Sequence, residues 1–497
     1  MTTETAAPAA PDYRKKWIIL ITVGMGVFLA TIDGTIVSVS LPTLERALHT
    51  DFPTIQWVTL VYLLTVTVLL LGMGRLGDMI GKKRPYLAGM AIFGLSSALC
   101  GLTDSIQLLI LFRVFQAVGA SMLQALGTAI ITEAFPASER GRALGISGLL
   151  VSAGILTGPV LGGVLIENVG WRFIFFVNVP IALVGMSMVG AFVPPGGRRP
   201  GQRFDVAGAV ILGVSLAALM LALTFGQNWG WGAGQTLGLL GVFAVAFGAF
   251  LVVELRVAQP MVDLTLFRNP QFAISLTMAL LVFIAIASRN VFPFFLQQGQ
   301  GLRVDTIGLL LGVWPLATAL VAPLAGWLSD KIGSMRISLL GLVVSAIGYW
   351  VMGALRLDLS PEMVALLIAP TGLGMGLFQA PNNSAVMGSV PRERLGLASG
   401  FLALSRNMGQ AIGFAIVGAL WATRTLAYLP PELVGTLTDA SEAPPAAIAA
   451  GTAETMIVLA VVMALTAGLG VIAVLIERQQ RRAGVARWAS EPTAQGR

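Results

Sequence analysis

Histidine and cysteine are almost missing from this sequence: 497 residues carry one of each, His49 and Cys100. A single cysteine excludes an intramolecular disulfide and any cysteine metal cluster, and a single histidine excludes multi-histidine chemistry. Charge is scarce as well. Asp, Glu, Lys and Arg make up 11% of the chain, where a soluble globular domain carries about a quarter. With 56% hydrophobic residues and a mean hydropathy of +0.84, no large soluble core accounts for that deficit. A nucleotide-binding loop and a nucleophile–base constellation are also lacking. The expectation is therefore a non-enzyme with no metal and no other cofactor.

What the sequence has is apolar runs of about 20 residues, each long enough to cross the roughly 30 Å hydrocarbon layer as a helix. They lack the strict alternation of barrel strands, which leaves helices as the spanning element. Reading runs between charged or Pro/Gly punctuation places helices at 17–41, 54–74, 85–104, 107–133, 142–166 and 172–193, then 204–226 and 234–254, then 271–296, 306–327, 337–355, 362–388, 396–423 and 453–476. The fold class expected is an all-α membrane protein with fourteen transmembrane helices. Its parts are a six-helix bundle over 17–193, two additional helices over 204–254, a second six-helix bundle over 271–476 and a cytoplasmic tail, 477–497. The N-terminal run follows Arg14, Lys15 and Lys16 without a convincing cleavage site and is read as a retained first helix.

Charge placement tests this count. With the N-terminus in the cytoplasm, inner segments hold 23 Lys and Arg, outer segments hold 5 (Arg46, Arg172, Arg303, Arg356 and Arg424), and 3 lie inside helices, which accounts for all 31. That is the positive-inside pattern, with both termini cytoplasmic. Thirteen or fifteen helices would scramble it. The same placement explains the basic balance without a nucleic-acid partner. Of the longer loops, 425–452 is outer and rich in Pro, Ala and Ser, suggesting partial disorder or short surface structure.

Between the second and third helices stands GRLGDMIGKKR, Gly74 to Arg84, and a weaker echo, GWLSDKIG, stands at Gly326 to Gly333. A loop repeated at matching places of two six-helix halves marks internal duplication in a transporter. Gly74 and Gly81 permit close helix approach and a tight turn, Asp78 is suited to a helix N-terminus, and Lys82 can pair with acids. Other segments stand out beside it: IDGTIVSVSLP from Ile32, LILFRVFQAVGA from Leu109, GILTGPVLGG from Gly154, WRFIFFVNVP from Trp171 and RNMGQAIG from Arg406. Through these motifs, from about Trp17 to Ile476, the sequence resembles the major facilitator superfamily, in particular its fourteen-helix drug:proton antiporter branch. Three departures from the branch pattern stand out. Ser38 and Ser40 replace the usual Asn and Ala, Met79 replaces a loop arginine, and Arg289 is not a branch feature.

Charges within a bilayer are functional candidates by default. Asp33 lies roughly 24 Å along the first helix at 1.5 Å per residue and is the carboxylate placed well inside the hydrocarbon; Arg113 lies at a matching depth. The resemblance implies a coupling role for the helix 4 arginine, so Asp33 is expected to carry the proton and Arg113 to tune it. A permanent structural bridge is the alternative. Glu133, with Asp78, Lys82, Arg142 and the echo residue Asp330, is expected to form a cytoplasmic gate. Gly154, Gly158, Pro159, Gly162 and Gly163 form a stripe suited to close helix contact and bending, which the resemblance implies packs the halves together. A generic packing groove is the alternative. Arg289 and Arg406 place positive charge in the second half, a field favouring an anionic or zwitterionic amphiphile. Tyr62, Gln116, Gln124, Gln297, Asn382, Asn383 and Gln410 are candidates for cavity hydrogen bonds, and Trp314 and Phe378 for apolar walls.

The function expected is proton-coupled export of hydrophobic or amphiphilic compounds by alternating access, in the cell (inner) membrane and as a monomer. The partners are protons, such a compound or a lipid, and membrane lipids. A lipid exporter or flippase of the same fold is the alternative, and a non-transporting receptor or scaffold is the reading from another class.

Overall fold

A computed structural model of the chain describes residues 15–136, 139–194, 206–257, 264–390, 395–437 and 439–482. Among the described residues there are helices and no strand. This is what a bilayer demands, because helices satisfy every backbone donor and acceptor within the segment. In chain order the first half contains α1 (Lys16–Ala47), α2 (Phe52–Ile80), α3 (Lys83–Leu102), α4 (Ile106–Ala134), α5 (Arg140–Asn168) and α6 (Phe173–Phe192). Two more follow, α7 (Val206–Trp229) and α8 (Gly234–Arg256). The second half contains α9 (Pro270–Gly299), α10 (Val304–Ile332), α11 (Ser334–Met352), α12 (Pro361–Gly388), α13 (Leu395–Ala427) and α14 (Pro445–Arg482). Helix starts follow capping chemistry: the side chains of Asp51, Ser105 and Ser360 accept first-turn N–H groups at α2, α4 and α12.

Twelve helices among the described residues are long and apolar enough to cross a membrane, so this is a multi-pass membrane protein. The other two long helices are α7, whose apolar stretch Val210–Gly226 is shorter, and α13, diluted by Arg406, Asn407 and Gln410. α7 packs on α8 and also touches α2 and α13. α8 is mostly exposed, presenting Val242, Val245, Val252 and Leu255 outward.

Duplication is visible in the backbone. Gly81 ends α2 with φ 90° and Gly333 ends α10 with φ 103°, a conformation open to glycine and strained for other residues. These two positions, like Gly74 and Gly326, are 252 residues apart. Two helices depart from the regular spans read in the sequence. α6 breaks at Val177, where Pro180 cannot donate to the carbonyl one turn back, that of Phe176. α9 passes from α-helix into a 3₁₀ turn at Ala287–Asn290 and then a π turn at Phe295–Gly299. Pro293 leaves the Arg289 carbonyl without its i+4 donor. The loop 425–452 is also more ordered than its composition suggests. It holds 3₁₀ turns at Pro431–Leu433 and Ala440–Glu442, buries Ala440 and Ser441, and gives way to α14 at Pro445, eight residues earlier than expected.

Candidate functional site

α1, α4 and α6 carry the polar centre of the first half, and the apolar positions around it close it off. Asp33 is 0% exposed and so is Arg113. Arg113 donates from Nη1 to Asp33 Oδ2 at 2.6 Å and from Nε to the Val58 carbonyl at 3.0 Å, and its guanidinium lies 4.2 Å from the Tyr62 ring centroid. The other carboxylate oxygen, Oδ1, accepts from Gln116 Nε2 at 2.8 Å and Asn178 Nδ2 at 2.9 Å. Gln116 also donates to Ser97 Oγ at 2.6 Å, and Cys100 Sγ lies 3.9 Å from Gln116 Oε1. A carboxylate removed from water is tolerable when paired and hydrogen-bonded on every side, and this one is.

Gln116 and Tyr62, candidates for cavity hydrogen bonds in the sequence, are members of this buried network, with Tyr62 Oη donating to the Ala30 carbonyl at 3.2 Å. Ser97 and Asn178 join it without having been singled out in the sequence. Only Asn178 had a signal, standing in the WRFIFFVNVP stretch just after the break in α6.

At the end of the bundle away from the termini, the two halves are tied together. Ser441 Oγ donates to Glu45 Oε1 at 2.6 Å, Gln298 Nε2 to Glu45 Oε2 at 3.1 Å, and Gln297 Nε2 to Thr43 Oγ1 at 3.2 Å. The Phe52 N–H donates to Asp439 Oδ2 at 2.8 Å. Phe52, Phe294 and Trp421 pack edge-on and tilted between halves with centroids 4.6 to 5.5 Å apart. Arg303 pairs with Glu167 at 3.3 Å. A Glu45 carboxylate shared by α1, α9 and the turn before α14 is a latch, and the sequence reading passed over it.

The small-residue stripe of α5 faces two ways. A Cβ on Gly154 would sit 3.1 Å from Thr31, one on Gly158 2.0 Å from Thr35 Oγ1, and one on Gly162 2.7 Å from Ile36, all within the first half. A Cβ on Gly163 would sit 2.6 Å from the Val304 carbonyl, and the Pro159 carbonyl faces Gly308 at 2.4 Å from its ideal Cβ. Gly163 and Pro159 thus form the seam with α10 of the second half.

At the termini end, Lys82 Nζ donates to Glu133 Oε1 and Lys16 Nζ to Glu139 Oε2, each at 2.6 Å. Gly74 has open space beside it. The side chains of Asp78, Arg142 and Asp330 lie outside the described residues, as do residues 483–497 of the tail. In the second half, Asn382 Nδ2 donates to the Ser275 carbonyl at 3.2 Å and Phe378 is buried in the core. Arg289 lies 5.0 Å from the Trp314 ring centroid. Gln124, Arg406 and Gln410 are partly exposed and Asn383 is exposed.

The sequence matches the Major Facilitator Superfamily over residues 23–289 and 274–477. It is 35% identical over 421 residues to the riboflavin transporter RibZ of Clostridioides difficile, covering 84% of this chain and 90% of that one. It is 34% identical over 428 residues to the multidrug resistance protein Stp of Mycobacterium tuberculosis, covering 86% and 80%. It is 30% identical over 430 residues to the tetracenomycin C resistance and export protein of Streptomyces glaucescens, covering 86% and 79%. Among solved structures, a bacterial homologue of the human lysosomal transporter Spinster, inward-facing and unoccupied, superposes with a TM-score of 0.62 at 18% identity over 94% of this chain and 98% of that one. These likenesses and the architecture agree: the chain belongs to the Major Facilitator Superfamily.

Proposed function

We propose that this protein is a proton-coupled exporter of hydrophobic or amphiphilic compounds that works by alternating access in the cell membrane. On this reading α7 and α13 also span, giving fourteen crossings with both termini cytoplasmic, and the end tied by Glu45 faces outward. The observation that carries the coupling role is the Asp33 carboxylate, buried against Arg113, Gln116 and Asn178 within the first half. Protonation of Asp33 weakens its hold on Arg113 and releases α1 from α4; deprotonation restores it. The pairs at Lys82–Glu133 and Lys16–Glu139 stiffen the cytoplasmic ends of helices within the first half and serve the inner gate.

The cargo class rests on two named relatives, the multidrug resistance protein and the tetracenomycin C export protein. A second reading, a riboflavin-like planar amphiphile as cargo, is favoured by the 35% identity to a riboflavin transporter. Proteoliposomes with an imposed pH gradient and an internal pH dye test both readings. Lipophilic cations, zwitterions, riboflavin and labelled lipids are supplied in turn, and cargo-dependent proton movement is read. Full gradient-driven transport by Asp33→Asn would end the coupling assignment.

A further inference from the structure

The second half has a polar centre of its own. Ser288, Tyr349 and Thr371 line one cavity together with Arg289, Phe292 and Trp314. The Ser288 and Tyr349 hydroxyls are 3.5 Å apart. Where the first half sets a carboxylate against an arginine, this cavity holds an arginine alone. Arg289 has no carboxylate partner among the described residues, its Nε is buried without an acceptor, and the Trp314 ring 5.0 Å away is its main neighbour.

Arginine stays protonated in proteins and presents a planar fork of donors matched to a carboxylate. Arg289 is partly exposed; withdrawing such a charge from water is costly unless an anion pairs with it, and a ring face compensates in part. The cavity beside the guanidinium has about 30 Å³ of room for water-sized molecules, enough for about two waters and hence for a carboxylate group. The break in α9 at Ala287–Asn290, imposed by Pro293, sets Arg289 at this spot.

We propose that this cavity binds a small monoanion of carboxylate size, forked by Arg289, hydrogen-bonded by the Ser288 and Tyr349 hydroxyls and walled by Phe292 and Trp314. Resting on the transporter reading, the anion is the acid group of an amphiphilic cargo; a free inorganic anion is the other source.

Tryptophan fluorescence of the purified full-length protein in detergent, with no pH gradient, tests the site. Hexanoate, hexanamide and chloride are titrated at ionic strength held by sulfate. Hexanoate is expected to give a saturable change, with hexanamide at least about tenfold weaker because it lacks the charge that strengthens the bond. Trp314→Phe is expected to remove most of the signal. Arg289→Gln should weaken hexanoate by about tenfold or more, and Arg289→Lys by less, since it keeps charge without the fork. If Arg289→Gln does not fold, the Ser288→Ala/Tyr349→Phe pair carries the test, with weakening of several-fold expected. Saturation by hexanoate and not chloride assigns the cargo acid as source, and equal saturation by chloride assigns a free anion; either supports the site. No saturable change, an equal response to hexanamide, or hexanoate binding unaltered in both variants would overturn it. Because no gradient is applied, a failure of proton coupling leaves this result untouched.

Discussion

In the first half, Arg113 meets the Asp33 carboxylate at 2.6 Å and the Val58 carbonyl at 3.0 Å; in the second, Arg289 meets a ring face and lines a cavity. Both arginines sit in polar centres, one in each half. The first is matched by the protein itself, on a carboxylate held by Gln116 and Asn178. The second is left for something outside the chain to match. The two halves thus differ in kind: one holds an arginine paired with a carboxylate, the other an arginine with no acidic partner among the described residues.

The sharpest way to break the comparison is to remove one arginine at a time. Arg113→Met leaves Asp33 as an unpaired buried carboxylate and is expected to cost about 3–5 kcal/mol, read as a fall in the unfolding midpoint in detergent. Replacing both partners, Asp33→Asn with Arg113→Met, should recover much of that loss. A double variant as unstable as the single one would show that the pair is not what Arg113 serves.

The seam between the halves comes next. Gly163→Val forces a side chain into the backbone of α10, where an ideal Cβ already lies 2.6 Å from the Val304 carbonyl, at an expected overpacking cost of about 1–3 kcal/mol. Transport in vesicles should be lost while binding of hexanoate at Arg289 survives, since that cavity lies within the second half. Gly158→Val is expected to act differently, because its neighbour is Thr35 of the same half; it should disturb the Asp33 network through α1.

An effect of similar size on stability is expected at the latch. Asp439→Ala frees the Phe52 N–H and the Ser441 turn, worth about 1–3 kcal/mol as a charged acceptor, and shifts the population toward an open outer end. Cys100 is the only cysteine and is buried beside Gln116, so its alkylation by a membrane-permeant maleimide reports opening of the first half without engineering. Faster labelling is expected in Asp439→Ala and in Asp33→Asn; unchanged rates in both would detach the latch from the polar centre.

The smallest effect sharpens the contrast. Arg289→Met removes a charge that has no acidic partner among the described residues, and its cation–π contact is worth about 0.5–2 kcal/mol. The unfolding midpoint is expected to stay near the wild-type value or rise, opposite in sign to Arg113→Met.

Much of this was legible in the residues. Asp33 and Arg113 stand out because a charge within an apolar run needs a partner, and the duplicated glycine-ended loop stands out because Gly74, Gly81, Gly326 and Gly333 recur at one spacing. The neutral part of the Asp33 network was harder to find. Ser97, Gln116 and Asn178 lie on three different helices, and nothing in a linear pattern says which way a glutamine turns. Glu45 and Ser441 were missed for a related reason. Both lie at chain ends of elements near water, where polar residues are ordinary, and 396 positions separate them.

By itself, the sequence determined that the chain is an all-helical, multi-pass membrane protein, because scarcity of charge and run length are local properties that the bilayer reads one segment at a time. Only the tertiary structure decided which buried charge is neutralised from within and which is left open. That outcome depends on the rotation of each helix about its axis and on the breaks at Val177 and Ala287–Asn290, which are settled by packing between segments distant in the chain.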